Sequence, residues 1–313
     1  MTVEYHHHRD KVQASIIFLN RNYAVAYYNR GVTKYRAGAK WEAISDYNLA
    51  IAIDPDYSNA YNNRGVTKSD LGDHPGAICD YDVAIAIDPT DALAYNNRGL
   101  AKSDLGDKQG AIADYDLAIS VNPDDPLAYN NRGNAKSDLG DHQGSITDYD
   151  RGIALNPHYA KAYNNRGNAK FDLDDMQGAI ADYNLGIALD PADALAYNNR
   201  GLAKSDLGDH QGAIADYDLG ISLNPDDILA YNNRGDAKLD LGNKQGAIAD
   251  YDRGIGLNPH YARAYYNRGT AKSKLGDRPG AIVDLTTAAE LFYQQGQMGL
   301  SDWLMRLAQS LRA

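Results

Sequence analysis

Asparagines stand side by side at positions 62–63, 96–97, 130–131, 164–165, 198–199 and 232–233. A carboxamide carries a donor and an acceptor together. A row of them can therefore hold the C=O and N–H of another chain's peptide groups, whatever that chain's side chains. The second asparagine recurs in every unit, and Asn29, Asn63, Asn97, Asn131, Asn165, Asn199, Asn233 and Asn267 are the candidate peptide-binding residues. Asn costs roughly 0.6 kcal/mol per helix position relative to Ala, so its recurrence calls for compensation. Bonding to a neighbouring helix, or copying of one ancestral unit, would produce the same row without a ligand.

Other side chains share that face. Asp70, Asp104, Asp138, Asp172, Asp206 and Asp240 form an acidic row suited by charge to a Lys- or Arg-containing segment. An ordinary solvated surface would look the same. Leu100, Phe171, Leu202 and Leu239 interrupt it as apolar anchors, Phe171 being the first choice for a hot spot. Lys161 and Arg263 are isolated basic points.

Chemistry of other kinds finds little support. His74, His142 and His210 occupy one turn position in alternate units, too far apart to converge on one ion, and His6–His7–His8 lie in a terminal stretch. The lone cysteine, Cys79, excludes an internal disulfide framework. No phosphate loop, nucleophile elbow or paired-carboxylate site stands out from the periodic background. The expectation is a non-catalytic chain without cofactor or metal.

The 313 residues carry 42 Asp+Glu against 31 Lys+Arg, a net charge of −11. That balance argues against nucleic acid and against anionic membranes as partners. No apolar run nears the ~20 residues of a membrane span. The start, with only the short apolar patch "ASIIFL", lacks a secretory pattern. A soluble, cytoplasmic protein is the default.

These side chains need elements to position them, and the elements follow a period. An "RG" dipeptide begins at Arg30, Arg64, Arg98, Arg132, Arg166, Arg200, Arg234 and Arg268, 34 residues apart each time. Each unit reads as helix A ("LAYNNRGLAKSDL"), a Gly-Asp turn, helix B ("QGAIADYDLAISV") and an Asx-Pro break. Gly106 suits the left-handed end of helix A, Asp107 a cap for helix B, and Pro75, Pro126 and Pro279 the first turns of their helices. A longer period of 102 residues relates "DYDRGIALNPHYAK" from Asp148 to "DYDRGIGLNPHYAR" from Asp250.

With Tyr95, Gly99, Ala111, Tyr115, Ala118 and Pro123 in its third unit, the chain resembles the tetratricopeptide repeat family, in a form common in bacteria and cyanobacteria. The resemblance implies an all-α, right-handed α-α superhelical solenoid of eight helix-turn-helix repeats with terminal capping helices. The expected boundaries are an N-terminal tail and half-repeat cap at 1–23, eight repeats at 24–293 and a C-terminal capping helix at 294–313. It also implies that Tyr95, Arg98, Gly99, Lys102 and Leu105 pack, whereas Asn96, Asn97, Leu100, Ser103 and Asp104 line a concave groove.

One departure from the family is a cation pair, Arg98 and Lys102 and their equivalents, on the packing arc. Unpaired buried charge is costly. Each pair is therefore expected to meet an aspartate of helix B: Asp46, Asp80, Asp114, Asp148, Asp182, Asp216, Asp250 or Asp284.

The asparagine row resembles the ladders of the repeat domain of O-GlcNAc transferase and of importin-alpha, both of which hold extended polypeptides. The transferase's catalytic domain has no counterpart here. Most of the basic residues that a family member uses to clamp an acidic chaperone tail are missing. The reading is a scaffold or adaptor whose groove takes an extended, Lys/Arg-containing segment. A structural or self-assembling array with partners on its convex face or ends is the alternative.

Overall fold

The computed structural model describes residues 22–312. The chain divides into two compact units, Met1–Pro157 and His158–Ala313. Among the described residues there are helices and no strands. The expected half-repeat cap before residue 22 and the three N-terminal histidines lie outside the described residues.

In the first unit, A helices α1 (22–36), α3 (Ser58–Ser69), α5 (Ala92–Asp104) and α7 (Pro126–Asp138) alternate with B helices α2 (Lys40–Ile53), α4 (His74–Ile87), α6 (Lys108–Val121) and α8 (His142–Leu155). In the second unit the A helices are α9 (Ala160–Asp172), α11 (Ala194–Asp206), α13 (Ile228–Asp240) and α15 (Ala262–Leu275). Their B partners are α10 (Met176–Leu189), α12 (His210–Leu223), α14 (Lys244–Leu257) and α16 (Arg278–Gln294), followed by α17 (Met298–Ser310).

Local chemistry sets these boundaries. Asp107 caps α6 by accepting from the Gly110 N–H, and Asp73, Asp141, Asp175, Asp209 and Asp277 do the same for their helices. Gly106 ends helix A at φ 86°, a left-handed conformation that glycine adopts without a Cβ penalty. At the fifth turn Asp174 takes that place at φ 62°, so the turn keeps its geometry although the glycine is absent.

The core is made of alanines and tyrosines. Tyr115 of α6 is buried with Ala111, and both pack on Ala135 of the next A helix, α7. Tyr95 of α5, Ala118 of α6 and Ala128 of α7 fill the alternate layer. The A-helix glycine makes the close approach possible. A Cβ on Gly99 would stand 2.6 Å from Cε1 of Tyr115. Each B-helix tyrosine thus lies across a neighbour with no side chain, and a buried aromatic contributes roughly 150–250 Å² of covered surface. Leu105, placed on the packing arc from its sequence position, is instead 52% exposed. It is the C-cap residue of α5, where the chain leaves helical geometry and turns its side chain out. At the end of the second unit, Leu304 and Ala308 of α17 bury against Leu285, Ala288 and Ala289 of α16.

Candidate binding face and the polar framework behind it

The polar groups of the packing side come first, because they fix what the A-helix face can present. Asp114 is almost wholly buried, and it accepts from Arg98 Nε at 3.0 Å and Nη2 at 2.6 Å. Lys102 Nζ lies 2.8 Å from the same carboxylate. The same three-residue cluster recurs from Arg30–Lys34–Asp46 to Arg268–Lys272–Asp284, as the cations on the packing arc require. The guanidinium also lies over a tyrosine one turn earlier, as with Arg98 over Tyr95 at 5.7 Å. Two charge-assisted bonds from a planar fork orient the arginine and satisfy the carboxylate. Its bond to Asp114 raises the Arg98 pKa against the opposing pull of burial. In the first repeat the Arg30 bond lowers the Asp46 pKa, again against burial.

Six of the arginines have a further reach that single-repeat reasoning missed. Arg98 Nη1 donates to Asp82 Oδ1 of the preceding B helix at 2.6 Å. Arg64 meets Asn48, Arg132 meets Asp116, Arg200 meets Asn184, Arg234 meets Asp218 and Arg268 meets Asp252 in the same way. The signal was available as an Asx at 48, 82, 116, 150, 184, 218 and 252.

The paired asparagines divide into two roles. The first of each pair, at 62, 96, 130, 164, 198 and 232, is at least nine-tenths buried. The second is half-buried at Asn63, Asn97, Asn131, Asn165, Asn199, Asn233 and Asn267, and exposed at Asn29. Within the first unit Asn97 Nδ2 donates to Asn62 Oδ1 at 3.1 Å, and Asn131 Nδ2 to Asn96 Oδ1 at 3.0 Å. Asn63 donates to the Tyr28 hydroxyl at 2.9 Å. In the second unit Asn267 donates to Asn232 Oδ1 and to Asp236 Oδ1, and Asn199 to Asn168 Oδ1 at 3.0 Å. The adjacent amides thus connect successive A helices, one as buried acceptor and one as half-buried donor.

At α9 and α11 the buried amide turns the other way. Asn164 and Asn198 donate to Asp193 and Asp227, and their Oδ1 atoms sit beside Gly186 and Gly220 without a hydrogen-bond partner. A Cβ at Gly186 would lie under 2 Å from the Asn164 oxygen, so glycine there permits this orientation. The corresponding residues behind Asn62 and Asn96 are Ala84 and Ala118.

Most of the acidic row faces polar side chains of the preceding repeat. Asp70 accepts from the Tyr35 hydroxyl at 2.7 Å and lies 3.4 Å from Lys40. Asp138 pairs with Lys108 at 2.6 Å. His74 Nδ1 is 3.7 Å from Asp104, and His210 Nδ1 is 4.0 Å from Asp240. Asp206 is exposed, and Met176 occupies the place of those side chains. Phe171 and Leu239, expected as groove anchors, are half-buried and also pack against core clusters, Phe171 on Tyr183 and Leu239 on Tyr251.

A third polar position lies between ladder and core. Tyr149, Tyr183 and Tyr251 donate their hydroxyls to Asn134, Asn168 and Asp236 at 2.9, 2.7 and 2.7 Å. Burial raises the Asp236 pKa despite the Tyr251 bond and Arg263 3.9 Å away. Among the described residues no group of His, Cys, Asp and Glu could hold a metal ion, and no helix is long and apolar enough to cross a membrane.

Antiparallel helix pairs repeating every 34 residues, joined within each unit by side chains at fixed positions, define an all-α helical-repeat protein. The chain belongs to the tetratricopeptide repeat family. A family model described as TPR repeat matches residues 69–106, 133–174, 167–208 and 235–276, and models described as Tetratricopeptide repeat match 24–57, 92–125 and 194–227. Among curated protein sequences none matches. A tetratricopeptide repeat protein from Parabacteroides merdae is similar in structure at 20% identity and a TM-score of 0.61, over 80% of this chain and 98% of that one. A chain of the APC/C hetero-tetramer Cut9–Hcn1 is similar at 17% identity and a TM-score of 0.64, over 86% of this chain and 52% of that one. MamA from Desulfovibrio magneticus RS-1 is similar at 22% identity and a TM-score of 0.51, over 54% of this chain and 96% of that one. These likenesses concern the fold.

Proposed function

We propose that the chain is a non-catalytic scaffold or adaptor that holds an extended, Lys/Arg-containing polypeptide segment along its A-helix face. One observation carries this reading. The second asparagines Asn97, Asn131 and Asn199 each donate one N–H to a neighbouring helix, and no group among the described residues donates to their Oδ1 atoms. Each amide is half-buried, held in orientation by its neighbour, and left with an acceptor and a second N–H. Such a group bonds a peptide unit without first losing rotamer entropy, which lowers the cost of binding. Exposed Asp206 supplies a charge preference for a basic segment.

Capture of partners from native cell extract by the full chain tests the reading. Asn97→Ala with Asn131→Ala is expected to abolish capture, and Asp206→Lys to weaken capture of basic partners. Circular dichroism checks that the variants remain helical. Capture that survives the double substitution favours a structural array instead. The amide bonds between helices support that second reading too, as do Leu49 and Val83, 43% and 38% exposed on successive B helices.

A further inference from the structure

In the second unit the A-helix face carries a crevice beside Phe171, which stands where most repeats have a serine. Between α9 and α11 the amide pair Asn168–Asn199 forms a sill, bonded at 3.0 Å. On one side of the sill lies a cavity of about 420 Å³ whose wall includes Asp190, Asp193 and Lys161. On the other side lies a notch of about 160 Å³ walled by Phe171 and Leu202 over Tyr183. Asn168 lines both; the same repeat position carries Asn134 in the fourth repeat but Leu100 in the third and Leu202 in the sixth. Phe171 replaces a serine found at 69, 103, 137, 205 and 273, and Asp190 stands where 122, 156, 224 and 258 have asparagine and 54 and 88 have aspartate.

We infer that this crevice is the anchoring subsite of the proposed groove and takes an apolar residue and an adjacent Lys or Arg from an extended segment. The inference rests on the scaffold reading above. Successive side chains of an extended chain point to opposite sides. A segment crossing the sill therefore sends one side chain into the notch and the next into the cavity, while the peptide group between them meets the asparagine amides. The notch offers aromatic and aliphatic walls to the first. The cavity offers two carboxylates against one ammonium, a net charge of −1 that suits a single cation. Lys161 opposes a second cation beside the first, so the pattern is one basic residue next to one apolar residue rather than a polybasic run. Asp193 also caps α11 through the Leu195 and Ala196 N–H groups and accepts from Asn164, and Asp190 accepts from the Ala192 N–H, so the preference comes from their net charge.

The test uses substitutions that copy what other repeats carry, so the fold is retained: Asn168→Leu, Phe171→Ser and Asp190→Asn. A random twelve-residue peptide display is selected on the full chain and on Asn168→Leu. Selected peptides are expected to contain adjacent apolar and basic residues, and this enrichment is expected to vanish on Asn168→Leu. In fluorescence anisotropy, a labelled Gly-Ser peptide with a central Leu-Arg pair is expected to bind at least tenfold more weakly to Phe171→Ser and to Asp190→Asn. Changing the Leu to Ser or the Arg to Gln should give the same loss on the unaltered chain. Enrichment of other patterns, undiminished by Asn168→Leu, would overturn the anchor and leave the groove reading standing. No enrichment on either chain would overturn both.

Discussion

Asn131 of one A helix donates its side-chain amide to the buried Asn96 oxygen of the preceding one. The contact accounts for the paired asparagines at Asn62–Asn97, Asn96–Asn131 and Asn232–Asn267, where one amide is the buried acceptor for the next repeat and the other the donor to the repeat before. A double-mutant cycle with Asn96→Ala and Asn131→Ala should show a coupling of about 0.5–1.5 kcal/mol in urea unfolding. Strictly additive losses would mean that the contact contributes nothing to cohesion.

Gly99 and Gly106 should respond differently to alanine although both are glycines. At Gly99 the new methyl meets the Tyr115 ring, and overpacking of this kind costs about 1–3 kcal/mol. At Gly106 there is open space, so the cost is backbone strain at positive φ, about 1 kcal/mol. Combining Gly99→Ala with Tyr115→Leu should recover part of the first loss and none of the second.

Asp174 is the mirror case. A side chain stands where the other turns have glycine, at φ 62°. Asp174→Gly is expected to stabilise the fifth repeat by about 0.5–1 kcal/mol. Amide exchange in α9 and α10 should slow. Unchanged or faster exchange would show that the aspartate repays its strain through contacts of its own.

The helix order, the turns, the tyrosine layers and the Arg–Lys–Asp clusters were legible before any coordinates. Each follows from one repeat and its period. Arg98 to Asp114 is a contact within one helix pair, and burial of a cation demanded a carboxylate. Contacts between repeats were much less legible. Arg98 to Asp82, Lys108 to Asp138 and Asn131 to Asn96 join residues that a periodic sequence repeats equally everywhere, so the pattern alone does not say which copy meets which. The candidate face suffered most. There the second asparagines Asn97, Asn131 and Asn199 donate to the neighbouring helix, which one repeat read alone does not reveal.

Two carboxylates should shift stability with pH in opposite directions. The Arg30 bond gives Asp46 a folded-state pKa below its unfolded value. Its contribution is present above about pH 4 and is lost as pH falls through the folded pKa. Burial gives Asp236 a raised pKa, so its stabilising part is the protonated form, present at low pH and lost as pH rises through the folded value. Asp236→Asn, copying Asn134, should therefore raise stability at pH 7 while keeping the Tyr251 hydroxyl bonded. Asp46→Asn should lower it. Unfolding curves at pH 7 and pH 4 check both signs, and a loss for Asp236→Asn at pH 7 would contradict the assignment.

Asp114 receives both Arg98 and Lys102. Asp114→Ala strands two partly covered cations and should cost about 3–5 kcal/mol. Urea unfolding should show the loss, and exchange should rise first in α5 and α6. A cost below 1 kcal/mol would mean that Asp82 and solvent suffice for the arginine.

The backward reach of these arginines gives the polymerised units a direction. A repeat offers an Asx at its rear and a guanidinium at its front, so a copy spliced in at the 34-residue step finds its partner already waiting. Growth or loss of whole modules by recombination would thus leave no stranded charge at the joint. The eighth unit departs from this grammar: Thr286 stands where its predecessors place an Asx, and α17 carries Asp302 at the next arginine step.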